Sequence, residues 1–284
     1  MSNPVERADC STIKWAGARS SRYGIDPFPN PEEWTKAIST IANNFPNATP
    51  VAVWLVGEIH FDGINSGMEM YFPNPGGNYD PRIKFSDEDK NESYLNFFDS
   101  NGIKVFLQVE PGFADMNDLI DATFKQYGNH PCVIGFGVDV EWYQSQRNGD
   151  ESTPPVTDEL AQAWEEKVKS YNGSYRLFLK HYHKPSWPEF KLPKNYRGDI
   201  IFVNDSQEHP GYQDFLDEMK EFADFFYPSP VMYQFGYKID KSWWQELPAP
   251  IPQTMGQGLS NQAKVGQDVG IVWVDFTLKC IVPI

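Results

Sequence analysis

The sequence has few cysteines, few positive charges and no long apolar run, and each absence excludes a class of protein. Three cysteines among 284 residues are too few for a disulfide scaffold. No apolar run approaches the roughly 18 residues that a membrane-spanning helix needs. Lysine and arginine number 24 against 39 acidic residues, which gives a net charge of -15. A surface of this charge repels phosphate backbones and acidic lipids, so we expect neither nucleic acid nor a membrane as a partner.

Short motifs for nucleotide, nucleophile and metal chemistry are also missing. The sequence contains no Walker loop, no G-x-S-x-G and no G-x-G-x-x-G after a predicted strand, so we expect no cofactor. A metal site would have to combine His181 and His183 with Glu58 and His60, and no H-E-x-x-H spacing supports one. We therefore predict no bound metal and keep a metal-dependent hydrolase only as an alternative.

The ends of the chain and its sequons bear on location. The opening "MSNPVERADC" has no apolar h-region, which leaves a cytoplasmic protein or a secreted one whose signal is absent from this chain. Cys10 and Cys280 lie near the two ends, which a closed barrel would bring together; a bridge between them and two free thiols both remain open. An extracellular location is favoured by four N-x-S/T sequons, at Asn47, Asn91, Asn172 and Asn204.

Apolar strands and amphipathic helices alternate along the whole chain. Strands are expected at residues 13–18, 50–57, 103–109, 132–142, 175–183, 199–205, 230–237 and 269–278. Helices are expected at residues 30–45, 86–102, 115–128, 157–173 and 212–227, with a polar Gly/Pro-rich loop at 58–85 and a broken helical pattern after strand seven. Near-continuous apolar strands are typical of parallel sheets that are covered on both faces. The alternation predicts one α/β domain over residues 1–284, a monomeric (β/α)8 TIM barrel.

Polar residues stand where most of these strands end. The active site of a TIM barrel lies at the C-terminal mouth, which the strand ends and the following loops build. Side chains that are far apart in the chain are therefore expected to converge there. The candidates are Glu58, Glu110, Asp139, Glu141, Asp205, Tyr233, Gln234, Trp273 and Asp275.

The stretch "GFGVDVEWY" carries two of these acids on the fourth strand. Strand alternation places Asp139 and Glu141 on the inward face and turns Trp142 toward the helices. Gly135 and Gly137 lie on the same inward face and should leave space beneath the two acids. Two carboxylates at i and i+2 lie roughly 7 Å apart, so each disfavours ionisation of the other. Glycosidic cleavage needs such a protonated acid for the departing oxygen. The alternative is an acid pair that caps a helix or forms salt bridges at the barrel rim.

The stretch resembles the motif of the chitinase family of glycoside hydrolases, family eighteen, which runs D-G-x-D-x-D-x-E on the fourth strand of a TIM barrel. The resemblance implies that Glu141 is the general acid and that Asp139 orients the substrate N-acetyl group and stabilises an oxazolinium intermediate. "GIVWVDF" is similar to the family's final strand and implies that Trp273 forms the floor of the −1 subsite. "VMYQ" is similar to the family's Met-x-Tyr-Asp run, here on the seventh predicted strand instead of the sixth, and implies a site role for Tyr233.

Parts of the family's motif are absent. Ile134 and Gly137 occupy the two earlier aspartate positions, and the family's Ser-x-Gly-Gly on the third strand reads "QVEPG" here. A D-x-E at a strand end also resembles the family-twenty-five lysozymes, which cut peptidoglycan. The resemblance is therefore to barrel hydrolases that act on N-acetylated sugars, and not to one family.

Together these features predict a glycoside hydrolase that cleaves an oligo- or polysaccharide containing N-acetylhexosamine, as in chitin or peptidoglycan. Glu141 and Asp139 are the predicted catalytic residues. Glu110 is the best candidate for a second catalytic carboxylate, with Asp205 and Asp275 behind it. The alternative is a non-catalytic, lectin-like barrel that binds carbohydrate, because the acid motif is incomplete. The residues predicted to contact the sugar are Glu58, Glu110, Asp205, Tyr233, Gln234, Trp273 and Asp275.

Overall fold

The computed structural model describes residues 12–146 and 153–284, in which eight parallel strands close into a barrel. This closure confirms the predicted (β/α)8 class. The barrel strands are β1 (Ile13–Ser20), β2 (Thr49–Leu55), β6 (Lys104–Val109), β7 (Val133–Asp139), β8 (Arg176–His181), β9 (Ile201–Asn204), β10 (Val231–Phe235) and β11 (Val269–Val274). Around the ring their order is β1, β11, β10, β9, β8, β7, β6, β2. Cys10 lies outside the described residues, so a bridge to Cys280 and two free thiols both stay open.

Helices surround the barrel. The first begins as its sequence predicts: the Asn30 side chain accepts from the Glu33 N–H at 3.0 Å, and the Glu33 carboxylate accepts from the Asn30 N–H at 2.9 Å. Among the described residues no helix is long and apolar enough to cross a membrane. The helices are α1 (Pro31–Ala42), α2 (Glu92–Asn101), α3 (Met116–Tyr127), α4 (Asp158–Tyr171), α5 (Tyr212–Phe226), α6 (Lys241–Trp244) and α7 (Ile251–Gln262).

Two helices differ from the prediction. Helix α2 begins at Glu92, and not beside Ser86, because the Asp89 carboxylate accepts from the N–H groups of Asn91 and Glu92 at 2.8 and 2.9 Å. Helix α7 forms where the helical pattern was expected to be broken. Its proline lies in the first turn, where no intrahelical donor is lost, and its later turns bury Met255 and Leu259 against the barrel.

The expected loop at residues 58–85 is wrong, because half of it forms a second, three-stranded sheet. Strand β3 (Gly57–Asp62) pairs in antiparallel fashion with β4 (Asn65–Met70), and β5 (Ile83–Phe85) pairs in parallel with β4. The hairpin turn begins at Gly63, whose φ of +69° suits glycine. The Asp-Gly pair at the turn is the sequence signal that was overlooked.

The barrel interior below the mouth is filled with aromatic and aliphatic side chains. Phe106 packs edge-on against Trp15 and Phe178, with ring centroids 6.3 and 5.7 Å apart. A Cβ atom added at Gly137 would lie 2.0 Å from the Phe178 ring. The space expected beneath the two acids is therefore absent, because Phe178 and Phe106 fill it in front of Gly137 and Gly135.

Two of the four sequons lie in the core. Asn91 and Asn204 are fully buried, and the Asn91 amide oxygen accepts from the Trp54 indole N–H at 3.1 Å. A glycan could attach to the folded chain only at the exposed Asn47 and Asn172. The extracellular location thus rests on two sites, and it remains a proposal.

Candidate active site

A cavity of about 250 Å³ opens at the C-terminal ends of the barrel strands. Its polar wall comes from residues that continue the inward-facing rows of their strands. Lys180, Asp205 and Gln234 each lie two residues beyond an apolar side chain of the barrel interior, as strand alternation requires. The mouth is therefore the point where each row changes from apolar to polar.

A buried lysine joins two acids of this wall. The Lys180 ammonium lies 2.8 Å from Asp139 Oδ2 and also donates to Asp205 Oδ2. Asp205 Oδ2 further accepts from Gln234 Nε2 at 3.3 Å and from the Tyr237 hydroxyl at 3.2 Å. These contacts fix both carboxylates in position while each keeps a second oxygen.

A second ion pair closes the wall on the side of β1. The Arg19 guanidinium lies 3.2 Å from Glu110 Oε1, and both side chains are buried. The Tyr23 hydroxyl donates to the same Glu110 oxygen at 2.7 Å, and the Ile59 N–H donates to the other at 3.2 Å. Glu110 therefore holds Arg19 and Tyr23 at the cavity but does not itself line it.

Glu141 reaches the cavity on a turn of 3-10 helix, and not on an extended strand. Strand β7 ends at Asp139, and residues Val140–Trp142 form the 3-10 turn. This turn brings Trp142 to the cavity as well, so its predicted orientation toward the helices is wrong. Alternation ends where the strand ends, which explains the difference.

The pKa values of Asp139 and Glu141 are both raised. Burial, followed by the charge of Asp139, raises the pKa of Glu141 from its ordinary 4.5 to about 8. Burial also raises the pKa of Asp139, and the nearby Lys180 ammonium acts in the opposite direction. Because the lysine contacts Asp139, we assign the negative charge to Asp139 and the proton to Glu141.

Aromatic rings complete the cavity. The Tyr23 and Phe276 rings lie 6.1 Å apart, and Phe276 lies at the same distance from Tyr237. Rings of this kind offer flat apolar faces together with hydroxyl groups, a combination suited to sugar rings. The aromatic residues of the wall are Tyr23, Trp142, Tyr182, Tyr237 and Phe276.

Several buried polar atoms of the mouth have no hydrogen-bond partner within the described protein. They include Asp139 Oδ1, Asp205 Oδ1 and Gln234 Oε1, all on residues that line the cavity. Both polar atoms of the Gln108 side chain, on the neighbouring β6, are also unpaired. Buried polar groups are normally satisfied, so this concentration points to a polar ligand rich in hydroxyl or amide donors.

Two predicted site residues face away from the cavity, which corrects their assignment. The Tyr233 hydroxyl donates to the Met219 carbonyl on α5 at 2.9 Å, so this side chain points into the helical layer. Trp273 packs edge-on against Trp244 of α6, and its indole N–H donates to Thr277 at 2.8 Å. Each follows the outward row of its strand, and Trp273 therefore cannot form the floor of a subsite here.

Two further predicted residues lie near the mouth without lining the cavity. The Asp275 carboxylate accepts from the Ser21 N–H at 2.6 Å, and burial raises its pKa to about 6. It therefore anchors the loop after β1. Glu58 is half-buried on β3, opposite Glu69 in the accessory sheet.

The positive charges and most of the aromatic wall are not among the residues predicted from the sequence. Lys180 lies within the predicted strand 175–183 and Gln207 just beyond the predicted strand 199–205. Arg19 directly follows the predicted strand 13–18, and Tyr23 lies in the loop after β1. A charged residue on the inward row of an otherwise apolar strand was the available signal for Arg19.

Two of the histidines weighed for a metal site contact each other. The His183 N–H donates to His181 Nδ1 at 3.1 Å, and burial lowers the pKa of His181 to about 2. Within the described ranges, the group with three potential ligand atoms near one another is Asp99, His130 and Cys132, at the opposite end of β7. The Asp99 carboxylate already binds the His130 ring at 2.6 Å and the Cys132 N–H at 2.7 Å, as a structural network would.

No family model matches the sequence, and no curated protein sequence matches it. Fourteen chains of solved structures match the fold. One is a β-D-glucuronidase of Dictyoglomus thermophilum, with 14% identity and a TM-score of 0.43 over 77% of this chain and 46% of that chain. This chain therefore covers about half of the length of the glucuronidase. Membership in family eighteen or family twenty-five stays a prediction, and the reaction is inferred from the cavity alone.

Proposed function

We propose that the protein is a glycoside hydrolase and that Glu141 is its general acid. The proposed substrate is an oligo- or polysaccharide that contains N-acetylhexosamine. The observation that carries the proposal is the pair of acids at the wall of the mouth cavity: Asp139 is paired with a lysine, and Glu141 has no ion pair among the residues that the structure describes. A protonated carboxyl beside an ionised one is the arrangement that glycosidic cleavage uses.

The charge of the cavity supports this chemistry. With Glu141 protonated, Lys180 supplies one positive charge and its two acid partners supply two negative charges. Arg19 and Glu110 compensate each other. The wall therefore carries one net negative charge, which would stabilise the oxocarbenium-like transition state of glycoside cleavage.

The proton path follows from the geometry. Glu141 would donate its proton to the glycosidic oxygen as the bond from that oxygen to the anomeric carbon breaks, and the substrate's own acetamido oxygen would form the new bond to that carbon, as the motif resemblance implies. Water would then attack the anomeric carbon, release the acetamido oxygen and give a proton back to the ionised Glu141. Asp139 Oδ1 has no partner in the described protein and is available to an acetamido N–H, the role that the motif resemblance gives to this residue. Asp205 and Gln234 offer acceptors for ring hydroxyl groups.

The size and wall of the cavity support a sugar ligand. Its volume of about 250 Å³ suits roughly one pyranose ring, since it lies below the range of pockets that enclose larger ligands. The wall offers both aromatic faces and unpaired acceptors, which suit the apolar face and the hydroxyl groups of a sugar.

One observation favours a second candidate, a lectin-like barrel without turnover. The Phe178 ring lies against Gly137, so the structure has no room for an acidic side chain at this position of the motif. The pair Asp139 and Lys180 could then serve to bind a sugar and not to assist its cleavage.

An assay of binding and cleavage with one panel of oligosaccharides separates the two functions. The panel contains chitin oligomers, peptidoglycan fragments and neutral glucans, each tested for affinity and for new reducing ends. We expect new reducing ends from at least one N-acetylated substrate, and none from the Glu141→Gln variant. Binding without product from the wild type would establish the lectin, and neither binding nor product would exclude both.

A further inference from the structure

A second depression lies beside the mouth cavity, along the connections after β8 and β9. It has a volume of about 480 Å³. Gln207 lines both this depression and the mouth cavity, so the two share a wall. Lys184 and Trp187 lie in the depression as well. We call this second depression the outer groove.

The outer groove carries an unusual aromatic residue. Trp187 is 45% exposed, whereas the other tryptophans are buried or half-buried. The Lys184 ammonium lies 5.2 Å from the centre of the Trp187 ring, and the His183 ring lies 5.3 Å from it. These contacts hold the indole at the edge of the groove, and its exposed part provides an apolar surface for a ring that enters from the mouth.

The charge of the outer groove restricts what can enter it. Its positive side chains are Lys184 and His209. Burial lowers the pKa of His209, but contacts with Asp240 and Glu218 outweigh this effect and raise the pKa to about 9. Lys184 is itself 3.6 Å from Glu218. Acids outnumber these two cations, because the lining also contains Glu208, Asp214, Asp217, Glu218 and Glu221. A carboxylated sugar would be repelled by this field, whereas a neutral or amino-substituted sugar would not.

We propose that the outer groove binds further sugar residues of the chain whose terminal or cleaved residue occupies the mouth cavity, with Trp187 as the stacking surface. This proposal rests on the proposed function for the identity of the ligand. It adds that the substrate is an oligosaccharide longer than a disaccharide and that its sugars are neutral or amino-substituted. Uronic acid polymers are excluded by the acids of the groove.

Binding measured as a function of oligosaccharide length and charge tests the proposal. The probes are di-, tetra- and hexasaccharides of N-acetylglucosamine, of glucosamine and of a uronic acid. They are titrated against full-length protein that carries Glu141→Gln, so that no probe is cleaved during the titration. The same titrations are repeated with Trp187→Ala added. We expect affinity to rise with length for the first two series and to be lowest for the uronic acid series.

The effect of Trp187→Ala should depend on length. We expect it to weaken hexasaccharide binding about 3- to 10-fold and to leave disaccharide binding unchanged. A disaccharide with one ring in the mouth cavity should extend only as far as Gln207, at the wall that the two depressions share. Tyr227→Ala is the matched control, since Tyr227 is also a half-exposed aromatic but follows α5 at the opposite end of the barrel. It should change neither affinity.

The outcomes distinguish this proposal from the proposed function. Equal affinity for all lengths, an equal loss for both lengths in Trp187→Ala, or tightest binding of the uronic acid series would overturn the outer groove as a sugar subsite. The proposed function would survive these results if the wild type still cleaved the disaccharide. A failure to bind or cleave any of the nine probes, together with the same failure on the peptidoglycan fragments and glucans of the first panel, would overturn both.

Discussion

The interior of the barrel has two parts, built from the same strands and opposite in character. Below the mouth, the inward rows are apolar and packed, with Phe106 between Trp15 and Phe178. One step further along the strands, the same rows carry Lys180 and Asp205 as a buried ion pair. The apolar packing of the lower part stabilises the fold. The charges at the mouth are costly to bury, so we attribute their presence to the proposed function and not to stability.

The buried ion pairs at the mouth indicate which part of the barrel is functional. Burial of an ion pair is weak support for stability, since well-packed apolar side chains often serve as well or better. The mouth contains two such pairs, Arg19 with Glu110 and Lys180 with its acids, and also holds unpaired acceptors. Mutations in the apolar part should therefore change the free energy of unfolding, whereas mutations at the mouth should also change the catalytic rate.

Replacing the proposed acid should give the largest effect. Glu141→Gln removes the donated proton, so we expect kcat to fall about 10²- to 10⁴-fold while the melting temperature is retained or rises. Steady-state kinetics on the best substrate of the panel, with thermal melting alongside, measures both. A variant with full activity would show that the proton comes from elsewhere.

Replacing the buried lysine should affect both stability and activity. Lys180→Met leaves Asp139 and Asp205 without their cation, and breaking a buried pair in this way costs about 3–5 kcal/mol. Denaturant unfolding measures the loss, and kinetics on the folded fraction should show a lower kcat.

Phe106→Ala is the matched control in the apolar part. It should cost a similar free energy of unfolding, about 3–5 kcal/mol, through the cavity it leaves. Its folded fraction should keep the wild-type KM. If the two variants changed activity alike, the division of the interior into two parts would be wrong.

The pH dependence should come from the mouth. Glu141 must be protonated to act, so kcat/KM should fall as pH rises through about 8. Stability should follow the same group: a carboxyl whose folded pKa is raised from 4.5 stabilises the fold fully below pH 4.5, and this contribution is lost as pH rises toward 8. Glu141→Gln should therefore be more stable than the wild type at pH 9, by roughly 1–3 kcal/mol, and equal to it near pH 4. Unfolding curves for both proteins at the two pH values provide the measurement.

The outward face of β10 should give the smallest effect. Tyr233→Phe removes one buried hydrogen bond to the Met219 carbonyl, which should cost about 1 kcal/mol of stability. Affinity for oligosaccharides should not change, because the ring lies in the helical layer. A weaker affinity with unchanged stability would show that Tyr233 contacts the ligand after all.

The sequence was sufficient to predict the barrel and the convergence of four candidate residues on one cavity. Continuous apolar strands with acids at their ends predicted closure into a ring, and Asp139, Glu141, Asp205 and Gln234 do line one cavity. Adjacent residues of a strand face opposite sides, so Tyr233 and Gln234 could not both reach the mouth. The alternation of side chains along the strand was therefore enough to exclude Tyr233 from the cavity.

Other features depended on geometry that alternation does not contain. The 3-10 turn after β7 brings Trp142 and Glu141 to the same cavity, and a short turn of this kind has no clear sequence period. Tyr23 reaches the wall through a hydrogen bond to Glu110, which lies far away in the chain. Such contacts become visible only when the ring has closed.

A comparison of leaving groups tests the role of Glu141 most directly. Wild type and Glu141→Ala are assayed with two aryl glycosides of the same sugar, one with a good leaving group such as dinitrophenol and one with a poor leaving group. Because a general acid assists departure most where the leaving group is basic, we predict a loss of about 100-fold or more for the poor leaving group and little loss for the good one. An equal loss with both substrates, or no loss with either, would contradict the assignment of Glu141 as the proton donor.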